Sequence, residues 1–320
     1  MTFRKMMLSV AAVALAMGLG ADGAKAEFPE KPITMIVPLG AGGSHDRNAR
    51  VFTSVISQYL GNAMIVKLMP GASGQVGTSA AAKARADGYT LLFTHNYIDQ
   101  LQQHVKKLPY DTNKDFVSVG QLNSGNFSVI VKSDSPFQTW ADLVAYAKAN
   151  PGKLKFAHSG NWGATHTPAL QLFNEAGIGG MITMVPYKGG GPSMRGFLAG
   201  EADFTMQFKS TILGQKEKVR VLISAGTKTA FPGAPTFKEL GYDEGLGLMR
   251  RILLAPAGIP EDRLMRLRKA MIELQKDKTY ISLIKAIGET TDYIDGADYD
   301  KMRPKQSAEY AKLVKSLAGK

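Results

Sequence analysis

Apolar positions along this chain follow two rhythms. Short, nearly unbroken apolar runs predict strands at the head of Ile33–Arg50 and over Ala63–Met69, Tyr89–Thr94, Leu154–Ala157, Met181–Pro186, Phe204–Phe208, Val219–Ala225 and Met249–Ala255. Between them apolar residues recur at helical spacing. Asn48–Leu60 places Val51, Phe52, Val55, Ile56, Tyr59 and Leu60 on one face and stops at Gly61. Thr139–Ala149 turns Trp140, Leu143, Val144 and Ala147 inward, and His166–Glu175 carries Pro168 in its first turn. Thr78–Ala86, Asn96–Lys107, Ser193–Leu198, Thr279–Ile287 and Ser307–Leu317 also read as helical, as does a helix opened by Pro260 with Leu264, Leu267, Met271 and Leu274 inward. Strand–helix alternation with continuous apolar strands predicts parallel sheets covered on both faces.

The extended segments Phe116–Leu122 and Phe127–Lys132 are suited to carrying the chain from one α/β domain to another. The C-terminal part has too few strands for its own sheet, so it is expected to pack back on the first domain. The domains read as 27–125 with 248–320, and 126–247. Two crossings between them make a hinge, an architecture that closes over a ligand.

Glycines mark where that ligand would sit. ITMIVPLGAGGSHDRNAR (Ile33–Arg50) runs from strand through Gly40, Gly42 and Gly43 into a helix that Ser44 or Asp46 can cap. LKFAHSGNWGATHTP (Leu154–Pro168) and MVPYKGGGPS (Met184–Ser193) repeat the plan. A helix start offers unpaired N–H donors and partial positive charge, which suit an anion. Three such turns predict an anion site where they meet. A dinucleotide site does not fit, because His45 stands at the third glycine's place.

Composition narrows the setting. The first 26 residues form a secretory signal: basic Arg4-Lys5, apolar Leu8–Ala21 and cleavage after Ala26. A periplasmic, soluble mature protein is expected. Removing Arg4, Lys5, Lys25 and Asp22 takes the formal charge from +12 to +10. The basic residues are scattered, and a secreted chain excludes nucleic acid as the partner. No cysteine is present, hence no disulfide and no thiolate chemistry.

Individual side chains carry alternative readings. His45, His95 and His158 are placed to meet in the cleft, but no short pair of ligands supports a metal, and no cofactor is expected. His166 is a helix cap or a ligand contact. Lys188 is solvated or a carboxylate partner. Asp46 reads as a cap rather than a base. Ser44, Ser159 and Ser193 lie near glycines, yet none falls in G-x-S-x-G. Trp162 and Phe208 are core or a lid over an apolar ligand body.

In that order the motifs FPEKPITMIVPLGAGGSHDRNAR, PGASGQVGTSAAAKARADGYTLL, LPYDTNKDF, SPFQTWADLVAYAKANPGKLKFAHSG, VPYKGGGPS, GEADF, APTFKELGY and LLAPAGIPEDRL resemble the periplasmic solute-binding proteins of tripartite tricarboxylate transporters, the Bug family. The resemblance covers Phe28–Lys320. It implies a two-domain α/β flytrap of the periplasmic-binding-protein kind, a monomer without catalysis that delivers a small carboxylate to membrane permease subunits. It places Gly42, Gly43 and Ser44 of the first domain on the ligand, with Ser159, Gly160, Asn161, Thr165, His166, Lys188, Gly189 and Gly190 of the second. Gln207 would line the cleft, and His45 and His95 join the set. Departures from the family pattern are Leu39 for an aromatic, Gln207 for Asp, Trp162 for glycine and Arg250-Arg251 for an aromatic pair. A sensing subunit for a receptor kinase and a secreted hydrolase are the rival readings.

Overall fold

The computed structural model describes residues 27–226, 231–243 and 248–318; the expected leader, residues 1–26, and its cleavage point lie outside the described residues. The chain opens with β1 (Ile33–Val37), α1 (Ser44–Leu60), β2 (Met64–Leu68), α2 (Gln75–Ala82), β3 (Thr90–His95) and β4 (Phe116–Gly125). It continues through β5 (Phe127–Lys132), α3 (Trp140–Ala149), β6 (Lys155–His158), α4 (His166–Glu175), β7 (Thr183–Pro186), α5 (Gly190–Leu198), β8 (Phe204–Phe208), α6 (Lys209–Ile212) and β9 (Val219–Ser224). It closes with β10 (Met249–Pro256), α7 (Glu261–Leu274), α8 (Lys278–Ala286), β11 (Ile294–Asp295) and α9 (Gly296–Ala318).

Two sheets result, ordered β11-β4-β10-β3-β1-β2 and β7-β6-β8-β5-β9. Each sheet and its helices are called a lobe below. Both sheets are mixed rather than parallel. β1 runs parallel to β2 and β3, but β10 runs antiparallel to β3 and β4. In the second sheet β6 is parallel to β7 and β8, while β5 is antiparallel to β8 and β9. Three of the antiparallel members, β4, β5 and β10, link the lobes. Buried on both faces, they carry the continuous apolar pattern that also marks a parallel strand.

Alternate side chains serve opposite faces, as the two-residue period requires. Ile33, Met35, Val37, Leu91 and Phe93 meet Phe52, Val55 and Ile56 of α1 together with Leu264, Leu267 and Met271 of α7. Ile36, Leu92, Ile252 and Leu254 face Ala81 of α2 and Tyr299 of α9. The second sheet does the same, with Phe127, Val129 and Phe156 toward α3 and α4, and Ile130 and Ala157 toward Met194 and Phe197 of α5.

Asn126 alone separates β4 from β5, and Met249, where β10 begins, pairs with Gly125, where β4 ends. The outgoing and returning crossings therefore run side by side. α9 begins at Gly296 rather than Ser307 and runs through Pro304. A buried ion pair, Arg303 Nη2 to Asp99 Oδ1 at 2.8 Å, anchors it to the first lobe. Its far end does not stay there. Val314 joins the core of the second lobe, and Leu313 and Leu317 share a surface hollow with Gln171 and Glu175 of α4. No helix of the described residues is long and apolar enough to cross a membrane.

Candidate functional site

The first glycine turn delivers α1 earlier than its apolar face suggests. The helix starts at Ser44, with Gly43 as its N-cap and no side chain capping it. Asp46 instead accepts the Gly42 N–H at 2.9 Å and pairs with Arg50 at 3.0 Å. It steadies the turn. The first intrahelical bond runs from Arg47 N–H to Gly43 O, leaving the preceding amides directed out of the helix end.

The starts of α1, α4 and α5 converge. A narrow cavity, nearly filled here with a volume of about 20 Å³, is lined by Gly43, Ser44 and His45 from the first, Ser159, Ala164 and Thr165 from the second, and Gly190 from the third. Gly40, Leu39, His95, Phe208 and Met249 complete the wall. A larger open groove beside Trp140 and Tyr242 shares none of these residues.

The two lobes meet around this cavity backbone to backbone. Gly40 N–H donates to the Lys188 carbonyl at 2.8 Å, and Arg195 Nη1 reaches the Ala41 carbonyl at 3.3 Å. A Cβ on Gly191 would lie 2.1 Å from the Ala41 carbonyl oxygen and 2.6 Å from the Gly43 nitrogen. Glycine is required here by close approach of the two turns, in the manner expected of a closed flytrap.

Ser44 plays a different part from the one expected. Its hydroxyl accepts from Arg251 Nη2 at 2.5 Å and from Ser210 Oγ of the second lobe at 2.7 Å, and donates to Glu289 Oε1 at 3.1 Å. Arg251 also donates to Asn123 Oδ1 at 3.0 Å, Asn123 to Asn48, and Asn48 to the Ser44 carbonyl. This buried network ties both crossings to the first turn of α1. Ser159 is freer: its hydroxyl oxygen accepts from Thr165 Oγ1 at 2.9 Å, and its own proton is left for a ligand. Thr165 thus positions Ser159, and takes the Ser159 N–H in return at 2.9 Å.

The histidines form two pairs rather than one group. His45 and His95 have ring centroids 5.5 Å apart, and His158 and His166 lie 4.4 Å apart. All four are held neutral. Burial lowers His45 well below its ordinary value, reinforced by His95 and Arg251. Burial with Arg251 brings His95 to about 3, burial brings His158 to about 4, and burial with His158 brings His166 to about 3. The Phe93 carbonyl, 3.2 Å from His45 Nε2, requires the proton on that nitrogen. His95 Nδ1 accepts from Ile98 N–H at 3.4 Å, so His95 carries its proton on Nε2. A depressed histidine binds protons in the unfolded chain and not in the folded one. Stability is therefore full above about pH 6.5 and falls as pH drops from there toward 4 and then 3. Chemical denaturation at pH 7.5, 5.5 and 4.5 should show a stepwise loss, reduced in His158→Gln.

Several expected residues stay off the wall. The Lys188 side chain is exposed and contributes only its carbonyl, and Asn161 is exposed. Gly42, Gly160 and Gly189 shape the turns without lining the cavity. His166 Nδ1 accepts the Trp162 N–H at 3.0 Å, which supports Trp162 in a left-handed conformation, φ 55°. Gln207 is buried beneath α5, its Nε2 within 3.3 Å of both Ser193 and Thr205 hydroxyls. Among the described residues no group of three His, Asp or Glu is placed to hold a metal. Ala164 and Met249 were not anticipated. The partners Arg251, Glu289 and Ser210 were also missed as a group; only the unusual Arg250-Arg251 pair hinted at them.

Comparison with known proteins fits this geometry. The model of the tripartite tricarboxylate transporter family receptor matches residues 48–318. A UPF0065 protein of Cupriavidus necator is 33% identical over 279 residues, covering 82% of this chain and 80% of the relative. BugT of Bordetella pertussis is 30% identical over 282 residues, 85% of each chain. A solved periplasmic transporter is 31% identical and superposes with a TM-score of 0.84 over 90% of this chain and 97% of its own. The same fold appears in an R. palustris protein solved with adipate (24% identity, TM-score 0.85, 91% and 99% covered). It appears again in MatC of Rhodopseudomonas palustris with bound malate (22% identity, TM-score 0.82, 90% and 100% covered).

Proposed function

Because this chain belongs to the tripartite tricarboxylate transporter receptor family, the Bug proteins, we propose that it captures a small carboxylate between its lobes in the periplasm and delivers it to membrane permease subunits. The observation that carries this reading is the convergence of three helix starts on one cavity. Their amides and dipoles favour an anion without a formal cation at the wall. That the adipate- and malate-bound proteins share the fold agrees with a carboxylate ligand.

The mechanism follows from the contacts. Residues 27–125 with β10 and the helices that follow it act as one moving body and 126–247 as the other, joined at Gly125–Phe127 and Met249, with the far end of α9 packed across to the second. A carboxylate seated on the α1 start meets Ser159 and the Gly190 turn as the second lobe swings in. Closure excludes water, and the lower local dielectric strengthens each charge-assisted bond. The Ser210–Ser44 and Gly40–Lys188 contacts form in that closed state. The chain acts as a monomer with no cofactor, no nucleic acid and no catalytic step. Neither Ser44 nor Ser159 has a histidine as hydrogen-bond partner, as a hydrolase would need.

Thermal unfolding of the mature, ligand-stripped protein against a panel of carboxylic acids tests the reading. A ligand at a hundred times its Kd stabilises by about 2.7 kcal/mol. Ser159→Ala removes a bond to a charged group, a loss of about 1.5–3 kcal/mol, or roughly tenfold to a hundredfold in affinity. The shift should shrink accordingly in that variant. No shift from any carboxylate with natively refolded protein would reject the proposal.

A further inference from the structure

The hydrogen-bond partners at the cavity wall separate groups that remain free for a ligand from groups already engaged. The Ser44 hydroxyl is saturated by Arg251, Ser210 and Glu289. The Arg251 charge is itself met by Glu289 at 2.9 Å, with Arg251 wholly buried. The Gln207 amide nitrogen is held by Ser193 and Thr205. The uncommitted donors facing the cavity are the Ser159 hydroxyl proton, His95 Nε2–H and the amides at the helix starts, and His45 Nδ1 is an unpaired acceptor beside them. A carboxylate presents about four lone-pair sites, and this donor set matches one such group.

The remaining wall is apolar: Leu39, Ala164, Phe208 and Met249. Met249 and Phe208 are 2% and 5% exposed, and Phe208 is fixed edge-on against Phe127 with ring centroids 6.2 Å apart. A second carboxylate on the same small ligand would be stripped of water against these side chains with no uncommitted cation to meet it. Burying a charge without such a partner is strongly unfavourable. An apolar body would gain there from burial and from ring contact with Phe208.

We propose that this cavity selects a compact monocarboxylate with an apolar body, aromatic or branched aliphatic, over dicarboxylates and tricarboxylates. The proposal rests on the carboxylate-capture reading above and names the ligand class within it. It sets this chain apart from the fold relatives solved with adipate and malate.

Isothermal titration of the wild-type mature protein, stripped by unfolding and refolding, provides the test. Benzoate and isobutyrate are compared with succinate, malate and citrate at one pH and ionic strength. The expected result is at least tenfold tighter binding of benzoate or isobutyrate than of any of the three polyanions. Tighter binding of succinate, malate or citrate would overturn the selectivity while leaving carboxylate capture standing. Equal affinities across both classes would also overturn it. Binding of none of the five, with the refolded protein shown to be native, would count against the carboxylate reading itself and take this proposal with it.

Discussion

Gly191→Val is expected to hold the flytrap open and weaken ligand binding as much as the largest loss expected at the cavity wall. Gly191 lies in the first turn of α5 with an ordinary negative-φ backbone, so valine meets no backbone obstacle in the open form. On closure its Cβ would enter the space held by the Ala41 carbonyl oxygen, 2.1 Å away, and the Gly43 nitrogen, 2.6 Å away. Both are backbone atoms and neither can rotate aside. Overpacking of this kind costs about 1–3 kcal/mol when neighbours relax. Here the relief available is to leave the lobes apart, so a roughly hundredfold loss of affinity is expected, at the upper end of that range. Thermal stability of the ligand-free protein should stay near wild type. Small-angle scattering should show a ligand-induced contraction in wild type and none in the variant. Full contraction in Gly191→Val would mean the turns do not meet in the bound state.

The second large effect is on stability. Arg251→Met removes the guanidinium from a pocket where Glu289 is 7% exposed and Arg251 not exposed at all. Glu289 then stays buried without its partner, and Asn123 and Ser44 each lose a donor. Breaking a buried pair on one side costs about 3–5 kcal/mol. For a chain of this length that lowers Tm by roughly 5–8 °C. Removing both charges together, as Arg251→Met with Glu289→Leu, should recover most of the loss, because the desolvation penalty disappears with the pair. Calorimetry of wild type, the single variant and the double variant checks this. A single variant as stable as wild type would mean that Arg251 and Glu289 are not the buried pair described.

Much of this was legible in the sequence, for identifiable reasons. Glycine clusters between an apolar run and a helical face announce a helix start, and all three at Gly40–Gly43, Ser159–Gly163 and Gly189–Gly191 are helix starts. Strand positions followed from apolar runs because the central strands are buried on both faces, while the edge strands β2 and β7 are partly exposed. Strand direction did not follow, since β5 and β10 look the same in either sense. The start of α1 was placed four residues late because its cap, Gly43, donates no side chain to signal it. α9 was cut short because a proline inside a helix reads as a stop, yet Pro304 is tolerated where Arg303 and Asp300 bind the neighbouring strand and loop.

The site was legible in backbone terms and less so in side chains. Lys188 illustrates the difference: the glycine turn around it delivers a carbonyl to Gly40, and its ammonium has no need to follow. His166 was read as a helix cap or a ligand contact; its Nδ1 accepts the Trp162 amide of a left-handed, non-glycine turn, which places its proton on Nε2. Arg251 and Glu289 stand 38 positions apart and resemble ordinary surface charges in sequence. Only folding β10 beside the segment after α8 shows them to be one buried unit with Ser44.

In the proposed function a carboxylate is held by helix starts contributed by both lobes. A crystal structure of the mature protein with the tightest-binding carboxylate tests it most directly. Carboxylate oxygens are expected within about 2.7–3.2 Å of main-chain nitrogens at the α1 start and of Ser159 or the α5 start, with Gly40 and Lys188 still in contact. A carboxylate bound to one lobe alone, or outside the cavity bounded by Ser44, Ser159 and Gly190, would contradict it.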